Sequence, residues 1–302
     1  MQSMLPLEVQ AEVDAPLDGL PDSKETARKA LDELTSRALA YRTGPELKAL
    51  FDFMRRFPHL APYNAMLLHI QNPGIQFALR APAWERKYER RVNDRARAYV
   101  ILQTMGPVAF VFDLRDTTPI NPKRDLIPEI ATNPFPAHGQ VPPGALQNLI
   151  NACLKLRIIV EAHDLAANLA GNVVRLGGPA FGVALNSKHS EAQRIGTLAH
   201  ELAHVFCGHL GPVEEGFWPD NSDATKEVRE FEAEAVAYLV TDRLNLEIGS
   251  VQYLAVYLSD DKPLPNYSLD NVLKAAGKIE EMLRGTFRIR RSQRMKAKHA
   301  RN

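Results

Sequence analysis

Cysteine is scarce in this chain: Cys153 and Cys207 are the only two among 302 residues. Two thiols cannot staple a chain of this size, so a disulfide scaffold is excluded and a reducing cytoplasm is the expected location. Long apolar runs are missing as well. No stretch approaches the ~18 to 20 residues that a membrane span requires, so no membrane partner is expected. The first residues lack the basic-then-apolar pattern of a secretory signal. No internal repeat is visible, which excludes a solenoid or propeller.

What is present is ordinary in bulk and uneven in detail. A hydrophobic fraction of 45% and a charged fraction of 24% suit one or two globular domains with a sizeable core. The net charge of +1 conceals two polarised ends. Residues 1–22 hold Glu8, Glu12, Asp14, Asp18 and Asp22 but no Lys or Arg, and Pro6, Pro16 and Pro21 interrupt them. They read as a disordered acidic segment. Residues 284–302 carry bases and no acid, from Arg284 and Arg288 through Lys296, Lys298 and Arg301. Such a tail either attracts polyanions without selectivity or keeps the end soluble.

The chemistry concentrates in His200-Glu201-Leu202-Ala203-His204, an H-E-x-x-H motif. Residues four apart share one face of an α-helix, so His200 and His204 can offer two imidazole nitrogens to one metal ion. Glu201 projects beside them, placed to take a proton from water. Two His and a carboxylate suit Zn²⁺ among other ions and leave a fourth position open. The bland alternative is a chance string on an amphipathic helix. Independent signals favour a true helix: Ser190 with Gln193 reads as a capping box, and Gly208 is a suitable stop. Leu198, Leu202, Val205 and Phe206 form its apolar face, with Ala199 and Ala203 beside the ligand positions.

A third ligand must come from elsewhere, and residues 229–239, rich in Ala and Glu without Gly or Pro, read as a second helix. Glu232 shares its face with Val228, Ala235, Val236 and Leu239, where a buried carboxylate needs a cation or a hydrogen-bonded partner. Glu230 and Glu234 share the other side near Lys226 and Arg229, as on a solvated face. Glu232 is therefore the expected ligand, with Glu234 in reserve. His209 and Cys207 are weaker candidates. His209 follows His204 by five residues rather than the six of the metzincin pattern, and a Cys on such a helix is more often a small buried hydrophobe. Tyr238 and Tyr253 are candidate oxyanion donors, although tyrosines in such runs usually belong to the core.

Gly182-Val183-Ala184-Leu185-Asn186, the H-E-x-x-H helix and Glu-Phe-Glu-Ala-Glu-Ala-Val-Ala-Tyr-Leu-Val together resemble the ImmA/IrrE type of zincin metallopeptidase over about residues 144–283. The same arrangement occurs in the peptidase half of ArdC-like antirestriction proteins. The resemblance implies Zn²⁺ held by His200, His204 and Glu232, with Glu201 catalytic. It also implies that the strand before the active helix edges a small sheet, open to an extended substrate.

Upstream, the pattern gives helices over about 22–41, 46–56 and 63–72, the last stopped by Pro73-Gly74. A basic and aromatic cluster follows, with Arg80, Trp84, Arg86, Lys87, Arg90 and Arg91, then strands over 99–103 and 108–114 around Gly106-Pro107. Arginines beside aromatic rings suit single-stranded nucleic acid, where guanidinium groups track phosphates and bases stack. A solvated basic helix whose Trp84 is simply core is the competing reading. Tyr63-Asn64, Leu67-Leu68, Gln71, Pro73 and Trp84 resemble the N-terminal domain of ArdC-like proteins, which is associated with single-stranded DNA binding. The stretch Glu89 to Ala96 departs from that family's Gly-Arg-x-Val pattern.

The expectation is thus an α+β chain. It comprises a disordered segment (1–22), a smaller α+β N-terminal domain (23–118), a Pro-rich linker (119–143), a zincin-like metallopeptidase domain with a small sheet and an active-site helix (144–283), and a basic tail (284–302). The expected activity is zinc-dependent hydrolysis of peptide bonds in a protein substrate. The alternative is a non-proteolytic, single-stranded-DNA-binding antirestriction protein of a mobile element.

Overall fold

The computed structural model describes residues 41–103, 108–128, 131, 140–166, 169–176, 180–211, 218–246, 254, 257–258 and 263–289. The acidic start, the helix expected over 22–41, the turn at Gly106-Pro107, Tyr253 and the tail beyond 289 lie outside them. The chain divides into two compact units, one taking in Asp52–Phe135 and the other Tyr41–Phe51 with Pro136–Asn302. The division falls inside helix α1 (Gly44–Arg55), whereas the sequence placed all of that helix in the first domain. The fold is mixed α+β throughout the described residues.

In the first unit, helix α2 (Pro62–Gln71) opens with proline at its first turn, where a missing N–H does no harm, and ends before Pro73. Strand β1 (Ala78–Leu79) and helix α3 (Ala81–Tyr88) follow. Strands β2 (Arg90–Val92), β3 (Tyr99–Ile101) and β4 (Ala109–Asp113) lead to β5 (Thr117–Pro119). One antiparallel sheet runs β1-β4-β3, and β2 pairs with β5. The outer edge of β3 is closed by side chains of α2. The Gln71 amide donates to Val100 O at 2.8 Å and accepts from Val100 N at 2.9 Å, and Asn64 treats Leu102 likewise at 3.1 and 2.9 Å. Seven residues apart on one helix face, these two amides act as a substitute strand and leave β3 no free ladder there. Because β5 pairs with β2, the stretch expected as linker from residue 119 begins inside the first unit's sheet.

In the second unit, helix α4 (Ala145–Lys155) precedes β6 (Ile158–His163), β7 (Gly171–Arg175) and β8 (Phe181–Asn186). Helices α5 (Glu191–Phe206), α6 (Lys226–Arg243) and α7 (Leu269–Leu283) complete it. The sheet order is β6-β8-β7, with β6 parallel and β7 antiparallel to β8. The strand before the active helix is therefore central rather than at the edge, because partners flank it on both sides. Its alternation buries Phe181, Val183 and Leu185. Helix α5 packs on β7 and β8, α6 lies along α5, and α7 packs on both helices and on α4. Between α6 and α7, the buried Arg243 guanidinium meets Glu280 through Nε at 2.6 Å and a terminal nitrogen at 3.2 Å. A two-pronged bond of this kind satisfies both charges in the core and fixes the crossing of the two helices. Among the described residues, no helix is long and apolar enough to cross a membrane.

Candidate metal centre

Helix α5 starts as the sequence indicates. The Ser190 hydroxyl accepts from Gln193 N at 3.3 Å, and the Gln193 side chain accepts from Ser190 N at 2.9 Å. Two amide donors at the helix start are thereby satisfied. Its end is set by Gly208, whose φ of 82° favours glycine and whose missing Cβ would lie 1.9 Å from Pro219 O. Between these stops, Ile195, Leu198, Leu202 and Val205 are buried and anchor the helix, leaving His200 and His204 on the flank toward α6.

The two histidines point their Nε2 atoms at each other across 3.2 Å. From α6, Glu230 Oε2 approaches both, at 3.7 Å from His200 Nε2 and 3.9 Å from His204 Nε2. Each imidazole is backed on its other side. His200 Nδ1 faces Glu234 Oε1 at 3.4 Å, and His204 Nδ1 lies 2.9 Å from His209 Nδ1. Glu234 and Glu230 are four apart, one turn of α6, and so mirror the spacing of the histidines on α5.

Glu232 is not part of this group. Its side chain points inward as its apolar neighbours imply, but what it meets there is His209 Nε2 at 2.9 Å and the Ser268 amide at 2.7 Å. Of the two partners that a core-facing carboxylate can take, a cation or a hydrogen-bonding group, Glu232 has the second. The histidine pair instead lies half-buried next to Glu230, whose side chain is 38% exposed while that of Glu232 is 1% exposed. The acid two residues earlier, on the wetter face, reaches the imidazoles. Cys207 is buried, and desolvation first, then the Glu232 charge, push its thiol well above its ordinary value, so it stays a neutral hydrophobe. Tyr238 shares the Glu230–Glu234 face by spacing and stacks on Phe51 with ring centroids 5.8 Å apart.

Burial sets the electrostatics. It lowers the imidazole of His200, against the nearby Glu230, and lowers His204 to about 3, helped by His200, His209 and Arg229. Both rings are neutral near pH 7 and carry lone pairs fit for a metal. Burial also raises Glu201 to about 7, with Glu230 and Glu234 adding to the rise while a hydrogen bond from the Val173 backbone opposes it. Glu234 is raised to about 7 by burial and then by Glu230. Three acids and two neutral imidazoles thus converge.

That donor set fits a divalent ion. Ligands ~2.0–2.2 Å from a tetrahedral centre stand roughly 3.3–3.6 Å apart. The triangle of His200, His204 and Glu230 has edges of 3.2, 3.7 and 3.9 Å, each within a few tenths of an ångström of that spacing.

The basic cluster of the first unit is split by the fold. Trp84 is fully buried against Phe77 and Leu114, and its indole N–H donates to Phe112 O at 3.0 Å, so neither ring face is available for stacking. Arg90 is buried as well, donating to Thr117 Oγ1 and Thr117 O, each at 2.8 Å, and pairing with Asp125. Arg80, Arg86, Lys87 and Arg91 are exposed, the last lying 3.9 Å from Glu85.

Comparison with known proteins bears on the second unit above all. Residues 178–248 match the family model Peptidase_M78, described as an IrrE N-terminal-like domain. This span contains α5 and α6 and hence every residue of the triangle. No curated protein matches the chain. Among solved structures, the chain is similar to the metal-free crystal structure of the antirestriction ArdC protein from the R388 plasmid. The identity is 13% and the TM-score 0.33, over 75% of this chain and 85% of that one.

Proposed function

We propose that the second unit is a zinc-dependent metalloendopeptidase acting on a protein substrate. The observation that supports this most is the triangle of His200, His204 and Glu230 with Glu201 beside it, inside a segment matched by a peptidase family model. His200, His204 and Glu230 are the residues that would hold Zn²⁺, in place of the Glu232 set. A divalent ion there supplies Lewis-acid polarisation of a peptide carbonyl and brings a water's pKa towards ~7.

Glu201 then acts as the general base. Its carboxylate, held by the Val173 amide at β7, takes a proton from the attacking water as the new carbon–oxygen bond forms. It returns that proton to the nitrogen as the carbon–nitrogen bond breaks. Glu234 stays on His200 Nδ1 and keeps that ring turned so that Nε2 faces His204 and Glu230. The test is metal analysis of the purified chain, with cleavage of an unfolded protein such as casein followed before and after chelation. One tightly held zinc, and activity lost on chelation and restored by zinc, is the expected result. A wild-type chain with no affinity for divalent ions would sink the proposal.

A second reading concerns the first unit, where four exposed bases lie on or next to α3. With Trp84 and Arg90 committed to the core, single-stranded DNA would be held through its phosphates rather than by stacking at Trp84. This function can coexist with proteolysis. Absence of single-strand binding by the full chain at low salt would remove it.

A further inference from the structure

We propose that Glu232 and His209 form a positioning pair that fixes the ring proton of His204 on Nδ1 and so keeps its Nε2 open toward His200 and Glu230. The purpose of the pair rests on the metal-centre reading, but its geometry does not. Both side chains are only 1% exposed, so neither serves solvent. Glu232 Oε1 receives the Ser268 N–H at 2.7 Å, at the start of the 15-residue helix α7. That end of a helix favours a negative carboxylate. Glu232 Oε2 lies 2.9 Å from His209 Nε2 and 3.5 Å from the Asn221 side-chain nitrogen.

The proton positions follow along the chain of contacts. An ionised carboxylate only accepts, so His209 Nε2 must donate. A neutral imidazole with its proton on Nε2 has an acceptor at Nδ1, and that atom lies 2.9 Å from His204 Nδ1. His204 Nδ1 is then the donor, and its Nε2 is left with a lone pair aimed into the triangle. Without the pair, His204 is free to place its proton on Nε2, the atom the metal needs.

The same residues invite a rival assignment. Donor atoms of Cys207, His209 and Glu232 lie within 4.8 Å of one another and could be taken for a second, buried metal site. The His209–Glu232 separation of 2.9 Å is a hydrogen-bond length. Both carboxylate oxygens and both His209 nitrogens already have partners. The cluster is complete as a hydrogen-bonded relay.

The test uses the full chain with ¹⁵N-labelled histidine, reading the His204 imidazole nitrogens in the metal-free state and zinc affinity by competition with a chelator. Wild type is expected to show the Nδ1–H tautomer. In Glu232→Gln the Ser268 N–H claims the amide oxygen, which turns the amide NH₂ toward His209. Each ring then reverses its roles, His204 carries its proton on Nε2, and zinc affinity falls about 10–100-fold. His209→Gln, whose amide can donate to Glu232 and accept from His204, is expected to keep the Nδ1–H tautomer and most of the affinity.

An Nε2–H tautomer in wild type overturns the proposal, as does a Glu232→Gln protein that changes neither readout. So does a second equivalent of zinc that Glu232→Gln removes. Should Glu232→Gln fail to fold, the wild-type tautomer and His209→Gln decide. If wild type binds no zinc yet shows Nδ1–H, the metal reading falls and the relay stands.

Discussion

Helices α5 and α3 each carry a run of polar side chains that sequence alone marks as functional, and the two runs have opposite fates. On α5, His200 and His204 leave the helix on one flank and meet Glu230 and Glu234 arriving from α6 with the same four-residue spacing. Each ring nitrogen of His200 and His204 faces a partner atom at 3.4 Å or less. On α3 and the strand after it, Trp84 and Arg90 turn into the core while Arg86, Lys87 and Arg91 turn out to solvent. A constellation tied to a helical repeat survives folding as a unit, because the repeat dictates a common direction. A cluster defined only by composition is divided among faces.

The sharpest way to break this contrast is at Glu201. Glu201→Gln keeps the shape and the histidine pair but removes the proton acceptor. Cleavage should fall by about 10²–10⁴-fold with zinc content unchanged. Retained activity would take the general-base role away from Glu201. Trp84 offers the matching test on the other side. As a fully buried ring, Trp84→Ala should lower unfolding free energy by about 3–5 kcal/mol, read by denaturant melts. The volume-sparing Trp84→Phe should leave any single-strand affinity unchanged. A loss of DNA binding in a well-folded Trp84→Phe protein would return that residue to the interface.

Much of the second unit is legible in the chain because its signals are local. The Ser190–Gln193 box, Gly208 and the apolar positions Leu198, Leu202 and Val205 each announce themselves within one or two turns. The direction in which α6 presents its acids is not local. Glu232 faces inward as the pattern says, yet which acid reaches the histidine pair depends on how α6 lies along α5, which no window of sequence contains. The acid-to-acid spacing of Glu230 and Glu234, matched to the histidines, was the available clue. His209 was legible as a histidine near the site, but its role required knowing that Glu232, itself held by the Ser268 N–H, would reach it from α6. In the first unit, the Asn64 and Gln71 clamp on β3 was invisible because it joins a helix to a strand about thirty residues away.

The two acids that α6 sets beside the histidines can be ranked against each other. Glu230→Gln removes the carboxylate nearest both Nε2 atoms and should weaken zinc binding by more than Glu234→Gln, whose partner is His200 Nδ1. Loss of the outer contact alone is expected to lower affinity about 10–100-fold, in competition against a chelator of known strength. Equal effects, or the reverse order, would move the third ligand to Glu234 and make Glu230 the outer residue.

The smallest expected effect lies on α3. Lys87 and Arg91 are exposed, so charge-neutral substitutions there should leave folding intact. If these bases track phosphates, each one removed should flatten the log–log dependence of single-strand affinity on salt by about 0.7, measured by fluorescence anisotropy with a short oligonucleotide. Arg90→Ala sets the contrast. It should destabilise the unit, by taking a donor from the buried Thr117 hydroxyl and carbonyl, without altering the slope in the protein that remains folded. A slope that ignores Lys87 and Arg91 would mean that the outward half of the cluster is an ordinary solvated face, as its composition equally allows.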